Sequence, residues 1–416
     1  MFRIWIYLNL KSFFKTLLFG SKKKNSEKII QKEISSQSKK KFVTLYSQCR
    51  IAFLFILKFL KTQSSRREII FCAYNLPEMV NIATNLKLKT RFYDLNYDTG
   101  SFNLASLKKK ISKKTLAVVI TNIFNDYSVS KKIKELCKKN KIILIEDNAI
   151  YFDNFAKINK KKIYSGSLGD YSIYSFNIMK NISSFYGGAS STNDKNFIRY
   201  YEKEKSKLKK FPVFHMAKQI IIFFILKIMS INFLFKNIFI HIITFAFRTN
   251  LNTILKLLYP SSKKLQKGFP SHYLTLPSRL SISLTSSQLK DKLKRQKLFL
   301  SRMKKHQYYQ KKMSLIKNKN FKLLKIKDKS YQNYLDFPVL VKDKDKLNNF
   351  LLQRGIEIRY KHYYNCEKIF HKANDCKNSQ LYENDLICLP IHSKIKLSYM
   401  DFVIKNIENY YVSTNY

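Results

Sequence analysis

The sequence predicts an α/β protein: a mixed, mostly parallel sheet covered by helices, followed by a smaller C-terminal α/β unit. Three observations predict it. Residues 42–195 alternate short apolar runs with amphipathic stretches, the pattern of a parallel sheet with crossover helices. Residues 270–416 show a shorter alternation of the same kind. The 416 residues are 45% hydrophobic and 15% aromatic, enough material for a core in each of two or three domains.

Taken in order, residues 1–24 (MFRIWIYLNLKSFFKTLLFGSKKK) are aromatic and aliphatic, interrupted by Arg3, Lys11 and Lys15. No uninterrupted apolar run with a small-residue cleavage site is present, so a cleaved signal peptide is not indicated. Two readings stand: a helix lying on an acidic membrane surface with Trp5 at the interface, or a helix docked on the protein. Residues 25–41 are polar and lysine-rich and read as a linker. Strands are expected at Glu68–Ala73, Thr90–Leu95, Leu116–Thr121, Ile142–Ile145 and Tyr171–Phe176, with an amphipathic helix at Val129–Asn140. Gln219–Phe247 is very apolar but carries Lys227, Lys236 and His241, and no charge-free stretch reaches the roughly 18 residues of a membrane span. It reads as a pair of buried helices or as a surface that dips into a bilayer, and its likeness to the N-terminal segment favours membrane contact. Beyond it come a helix at Leu289–Met313, a strand at Leu335–Val341, a helix at Leu347–Arg354 ended by Gly355, a strand at Ile356–Arg359 and a last helix at Ser398–Tyr411. The expected units are 1–41, 42–210, a helical insertion at 211–265, and 266–416.

The charge is extreme, with Lys+Arg 79 against Asp+Glu 27 and a formal net of +52. Lysine is scattered over every segment and no helix-turn-helix, RNP-like or finger pattern is present, so no specific nucleic-acid reader is indicated. The field still attracts polyanions, including nucleotides and acidic lipids. The six cysteines form no CxxC pair and read as reduced thiols of a cytosolic protein. His362, Cys366, His371 and Cys376 lie close in sequence, but their spacing matches no familiar zinc pattern, and no metal site is expected.

The chemically informative segment is Lys141–Asp194. An apolar strand ends in Glu146-Asp147, a Gly-Asp pair (Gly169, Asp170) precedes a second strand, and Ser175, Lys180 and Gly187-Gly188 follow. In parallel sheets ligands gather at the carboxyl ends of strands, where Asp147 and Ser175 fall. Spacing alone assigns them nothing, since an Asp after a strand often forms a turn and most lysines are solvated.

The run resembles the DegT family of sugar aminotransferases. That family carries an E-D-x-A strand end (Glu146 to Ala149), a G-x-x-G-D turn (Gly166 to Asp170), S-F-x-x-x-K (Ser175 to Lys180) and then Gly-Gly (Gly187-Gly188), in this order and spacing. Upstream, Cys72-Ala73-Tyr74-Asn75 matches its P-A-Y-T, and downstream Gly355-Ile356-Glu357 and Leu389-Pro390 match its small domain. The resemblance implies the fold type I architecture of transferases that use pyridoxal phosphate (PLP). It implies Lys180 as the Schiff-base lysine, Asp147 as the partner that keeps the pyridine nitrogen protonated, Ser175 as a phosphate ligand and Asn177 as a further cofactor-binding residue. It further implies a homodimer acting on a nucleotide-linked keto-sugar, with an amino acid as amine donor, in surface polysaccharide synthesis. The expected location is the cytoplasm, with peripheral membrane contact through residues 1–20 and 219–247.

Several positions depart from the family. Ile150 replaces a usual Gln and Tyr186 an acidic residue. Ser47-Gln48-Cys49-Arg50 stands where a Gly- and Ser/Thr-rich turn cradles phosphate, so Arg50 would bind it by charge. The aromatic expected over the cofactor ring aligns with Leu76, leaving nearby Tyr74 as the candidate. The segment that in the family lends an Asn to the neighbouring subunit is shortened around Ser278-Arg279. These departures also admit a second expectation, a non-catalytic membrane-associated scaffold on the same fold.

Overall fold

The protein is described by a computed structural model covering residues 1–20, 23–251, 253–255, 265–270, 273–326 and 335–413. Ten strands belong to the first part of the chain: β1 (Phe42–Tyr46), β2 (Glu68–Cys72), β3 (Tyr74–Asn75), β4 (Lys89–Tyr93), β5 (Thr115–Thr121), β6 (Ile143–Asp147), β7 (Phe155–Ile158), β8 (Lys161–Tyr164), β9 (Tyr171–Ser175) and β10 (Gly188–Thr192). Seven of them form one sheet in the order β1-β10-β9-β6-β5-β2-β4. From β9 to β4 neighbours run parallel, and β10 lies antiparallel to both β9 and β1.

Burial explains the sequence pattern. Every residue of β5 is buried, because helices and the smaller unit cover both sheet faces. On one face Ile69, Phe71, Val119, Ile145 and Ile173 pack under the Cys49–Gln63 helix. On the other, Ile70, Val118, Ile120 and Leu144 join a core that continues into the C-terminal unit through Val339, Ile387 and Leu389. That unit holds β11 (Phe321–Leu323), β12 (Asp336–Val341), β13 (Tyr364–Asn365) and β14 (Leu386–Pro390). An antiparallel sheet runs β11-β12-β14, while β13 leaves it to pair with β3 and clasps the two sheets together.

The structure corrects four expectations. Ile356–Arg359 is no strand; it makes a single bridge, Arg359 to Cys388. The expected Leu289–Met313 helix is two helices, Arg279–Lys290 and Lys292–Met313, broken at Asp291, whose carboxylate accepts from the Lys294 amide at 3.0 Å and caps the second. Residues 25–41 are not a linker. Lys23–Ser38 is a helix that buries Ile30 and Ile34, one turn apart, against the Arg279–Lys290 helix. Its apolar stripe is too narrow to stand out among lysines.

The fourth correction concerns the N-terminus. Residues 1–8 are not helical but run as an irregular strap in which every residue from Phe2 to Leu8 except Trp5 is buried. The Arg3 guanidinium meets the buried Glu357 carboxylate at 2.5 Å, and the Phe2 carbonyl lies 3.0 Å from His392 Nε2. Trp5 is therefore stacked on His392 and sits beneath Lys227, rather than facing a membrane interface. A helix begins only at Leu10, capped by Asn9, and ends at Phe19. The apolar insertion forms Val213–Met229 and Asn232–Arg248, bent by 80° at the break between them. Its end, residues 256–264, lies outside the described residues.

Candidate active site

The site grows from the end of β6. Successive side chains of a strand point to opposite faces, so Glu146 and Asp147 separate. Glu146 is fully buried and its carboxylate accepts from three backbone amides of the glycine turn: Gly166 at 3.1 Å, Leu168 at 2.8 Å and Gly169 at 2.6 Å. The turn is fastened from its other end by Asp170, which accepts from the Leu144 amide at 2.8 Å and pairs with Lys134 at 2.5 Å. Gly166 has φ +91° and no room for a side chain beside the Tyr174 hydroxyl. The E-D and G-x-x-G-D motifs are thus one device: Glu146 holds the turn, the turn aligns β9 beside β6, and Asp147 is left facing the Cys49–Gln63 helix.

Asp147 is 3% exposed. One oxygen accepts from the Ala149 amide at 2.9 Å; among the described residues the other has no hydrogen bond or ion pair. Burial raises its carboxyl to about 6, against the pull of the Ala149 amide and of Lys180. Lys180 lies beyond the end of β9, in a turn closed by its amide donating to the Asn177 carbonyl at 3.0 Å. That turn is held by Ser183 on the Ile178 carbonyl (2.5 Å) and by Gln288 on the Ser183 carbonyl (2.7 Å). Burial lowers the Lys180 amine to about 8; Arg359 pushes it the same way, while Asp147 and Cys49 oppose. Among the described residues the amine has no hydrogen bond or ion pair. The half-buried lysine and the buried aspartate therefore lie close enough for each to bias the other's protonation.

The other end of the site is a helix start. The Cys49–Gln63 helix has Gln48 as N-cap without a side-chain cap; the Ile51 amide donates to the Gln48 carbonyl at 3.1 Å, and the amides of Cys49 and Arg50 precede it at the helix start, the end that favours an anion. Gly188 abuts it: a Cβ there would stand 2.3 Å from the Cys49 nitrogen. Across the ladder Gly188 pairs with Ser175, whose hydroxyl has no hydrogen bond among the described residues. Arg50, in that first helical turn, donates to the Tyr273 hydroxyl at 3.2 Å.

Two expected cofactor residues are engaged otherwise. Asn177 Oδ1 accepts from the Ile178 amide at 2.5 Å and braces the lysine turn. Tyr74 is buried among His362, Tyr363 and Tyr382, with its hydroxyl 3.2 Å from His362 Nδ1 and accepting from the Tyr363 amide at 3.3 Å. It backs the site rather than facing the lysine. Sequence reasoning missed Arg359, and it noted His362 and Cys49 without placing either beside the lysine. His362 lies between Tyr74 and Phe124 with both ring separations 6.0 Å, and burial, Arg359 and Lys180 hold its imidazole neutral. Arg359 pairs with Asp336 at 3.2 Å. Both reach Lys180 only through the clasp between the sheets, and no local pattern announces that.

Residues 20–210 and 261–408 match the DegT/DnrJ/EryC1/StrS aminotransferase family. The chain belongs to this family. Curated relatives include GDP-perosamine synthase of Escherichia coli O157:H7, 32% identical over 104 residues (25% of this chain and 28% of that protein). The enzyme of the same name from Vibrio cholerae is 29% identical over 126 residues (30% and 33%). The chain thus spans about a third or less of the length of these relatives. Among solved structures, Helicobacter pylori PseC, an aminotransferase involved in pseudoaminic acid biosynthesis, superposes with TM-score 0.70 at 18% identity over 99% of each chain. Spr1654 of Streptococcus pneumoniae in its PLP form gives 0.68 at 16% over 98% of each chain. These likenesses establish the fold, the type I architecture with its mostly parallel seven-stranded sheet.

The DegT family depends on PLP. The residues present fit that group. A half-buried lysine amine and a carboxylate oxygen of the buried Asp147, both without protein partners among the described residues, suit its aldehyde and its ring nitrogen. The helix start, without a side-chain cap, suits its phosphate. Cys49 in place of glycine adds a thiol beside this end, and burial keeps that thiol protonated.

Proposed function

We propose that this chain is a PLP-dependent aminotransferase that moves an amino group from an amino acid to the keto carbon of a nucleotide-linked sugar. Its proposed setting is surface polysaccharide biosynthesis in the cytoplasm, as a homodimer. The observation that supports the reading is the electrostatic coupling of Lys180, in the turn beyond β9, with the buried Asp147 carboxylate at the end of the neighbouring parallel strand β6.

When bound, PLP supplies an electron sink that stabilises negative charge on the carbon losing its proton. The protein's residues do the rest. Asp147 would accept a hydrogen bond from the protonated ring nitrogen, and the Ala149 amide fixes the carboxylate's orientation. The Lys180 amine, lowered to about 8, has a neutral fraction near neutral pH and can take a proton and return it at the reacting carbon. The Cys49–Gln63 helix start, Ser175 and Arg50 would hold the phosphate by amides, hydroxyl and charge. Arg359 and the neutral His362 shape the electrostatics around the lysine. The positive surface raises the local concentration of an anionic nucleotide.

The test is spectroscopic and chemical. Added PLP should give a visible absorption band that glutamate or another amine donor bleaches, and a nucleotide-linked keto-sugar should then be aminated. The Lys180→Ala variant should lose both band and turnover. Undiminished biological activity in that variant would instead favour the scaffold reading.

A further inference from the structure

The bent insertion and the N-terminal helix form one apolar surface that the rest of the protein leaves uncovered. Phe13 and Phe14 of the Leu10–Phe19 helix pack tilted or edge-on against Phe223 and Phe224 with centroids 5.5–6.5 Å apart, and Phe2 meets Phe235 at 5.4 Å. The inner face, including Phe223, Leu226, Phe235 and Ile243, packs against Ile178 and Phe185 of the lysine turn. The outer face is just as apolar. Leu18 is 71% exposed, Phe214 76%, Ile221 60%, Phe233 72% and Phe245 59%. A helix apolar all round belongs in an apolar environment on every side. Here only one side is supplied by protein among the described residues. Contiguous exposed patches of this kind mark interaction sites.

Charge decides among occupants. Residues 1–26 and 205–290 contain no Asp or Glu, while exposed Lys11, Lys15, Lys218, Lys236 and Arg248 rim the apolar face. Two copies meeting through this face would bring like charges together with no acidic partner to offset them. An anionic lipid surface offers the opposite charge at the rim and hydrocarbon at the centre. Geometry rules out a simple crossing by either helix: Val213–Met229 has 17 residues, about 25 Å at 1.5 Å per residue, and the turn beyond it bends by 80°. The inner faces are committed to the protein core, so the helices lie in the plane of the interface.

We propose that this three-helix surface docks the protein peripherally on a membrane containing anionic phospholipid, with the outer-face side chains at the acyl boundary and the lysines among the headgroups. The Phe2–Leu8 strap takes no part in lipid contact; it ties the platform to the C-terminal unit through Arg3 and Glu357. Ile178 and Phe185 lie directly beneath the platform, so docking places the Lys180 compartment next to the bilayer surface.

Vesicle flotation tests this. The full chain should float with phosphatidylcholine vesicles containing about one third phosphatidylglycerol at least tenfold more strongly than with pure phosphatidylcholine. Roughly 0.5 M salt should weaken that preference. Replacing Leu18, Phe214, Phe233 and Phe245 together by Ser should cut flotation by about tenfold or more, with the circular dichroism spectrum unchanged. If that variant misfolds, reversal of Lys11, Lys15, Lys218 and Lys236 to Glu should abolish the preference for anionic vesicles. Equal binding to both vesicle types overturns the proposal, as does a folded Ser variant that floats like the parent. So does a chain that ignores vesicles while self-associating through these four residues, an outcome that assigns the face to a second copy.

Discussion

The sharpest consequence of the site's electrostatics concerns Arg359. Its guanidinium is the largest charge effect holding the Lys180 amine down, second only to burial, and the amine stands at about 8 instead of 10.5. At pH 7 an amine at about 8 is neutral in roughly one molecule in ten, against about 3 in 10,000 for an ordinary lysine. Lys180 should therefore capture an aldehyde about 300-fold faster than a solvated lysine of equal access, in a chain crowded with lysines. Replacing Arg359 by Gln removes the positive charge and frees Asp336, whose negative charge also favours the protonated amine. Both changes raise the Lys180 value, by on the order of one unit, and so slow capture at pH 7 about tenfold. The assay is a time course with limiting PLP, borohydride quench and mass-spectrometric counting of pyridoxyl-Lys180, repeated from about pH 6 to pH 10. A pH profile whose midpoint stays put or moves down would refute the assignment of Arg359 to this compartment.

Other perturbations follow from the same geometry. Asp147→Asn removes the negative charge that opposes the lowering of Lys180, so the lysine's midpoint should fall below about 8 in the same assay, the opposite direction to the Arg359 change. Because Lys180 sits below its unfolded value, the unfolded chain holds the proton more tightly between about 8 and 10.5; this group's contribution to stability rises as pH climbs through that window, and urea melts of Lys180→Met should lose that rise. Glu146→Ala strips three amide hydrogen bonds from the glycine turn and should cost about 3 kcal/mol in denaturant unfolding, with a weaker PLP band. Arg3→Ala strands the buried Glu357 carboxylate and should cost about 3–5 kcal/mol, most of it recovered when Glu357 is also made Leu.

Legibility in the sequence followed burial on both faces. β5 and β6 were readable because their apolar runs are unbroken, a consequence of a sheet covered on each side. β10, Gly-Ala-Ser-Ser-Thr, carried no apolar signal although all five residues are buried; small side chains are what let the Cys49–Gln63 helix approach. Residues 1–8 dock on the protein, one of the two readings, but as a strap and not a helix; Arg3 enters the interior because Glu357, more than 350 residues away, neutralises it there. Asp147 and Lys180 stood out through the motif they share with the DegT family, and the structure supplies a reason for the motif's neighbours: Glu146 and the glycines build the turn that aligns the strands carrying them. The placement of Arg359 and His362 was invisible for the same reason as the strap's partner. Their function depends on β13 clasping β3, a tertiary event with no local pattern.

The most direct measurement is the identity of the lysine that carries the cofactor. Reduction of the PLP-loaded chain with borohydride, followed by proteolysis and peptide mapping, should place one pyridoxyl group on Lys180 at stoichiometric yield. Label spread over surface lysines, or concentrated on another residue while Lys180 stays unmodified, would contradict the account.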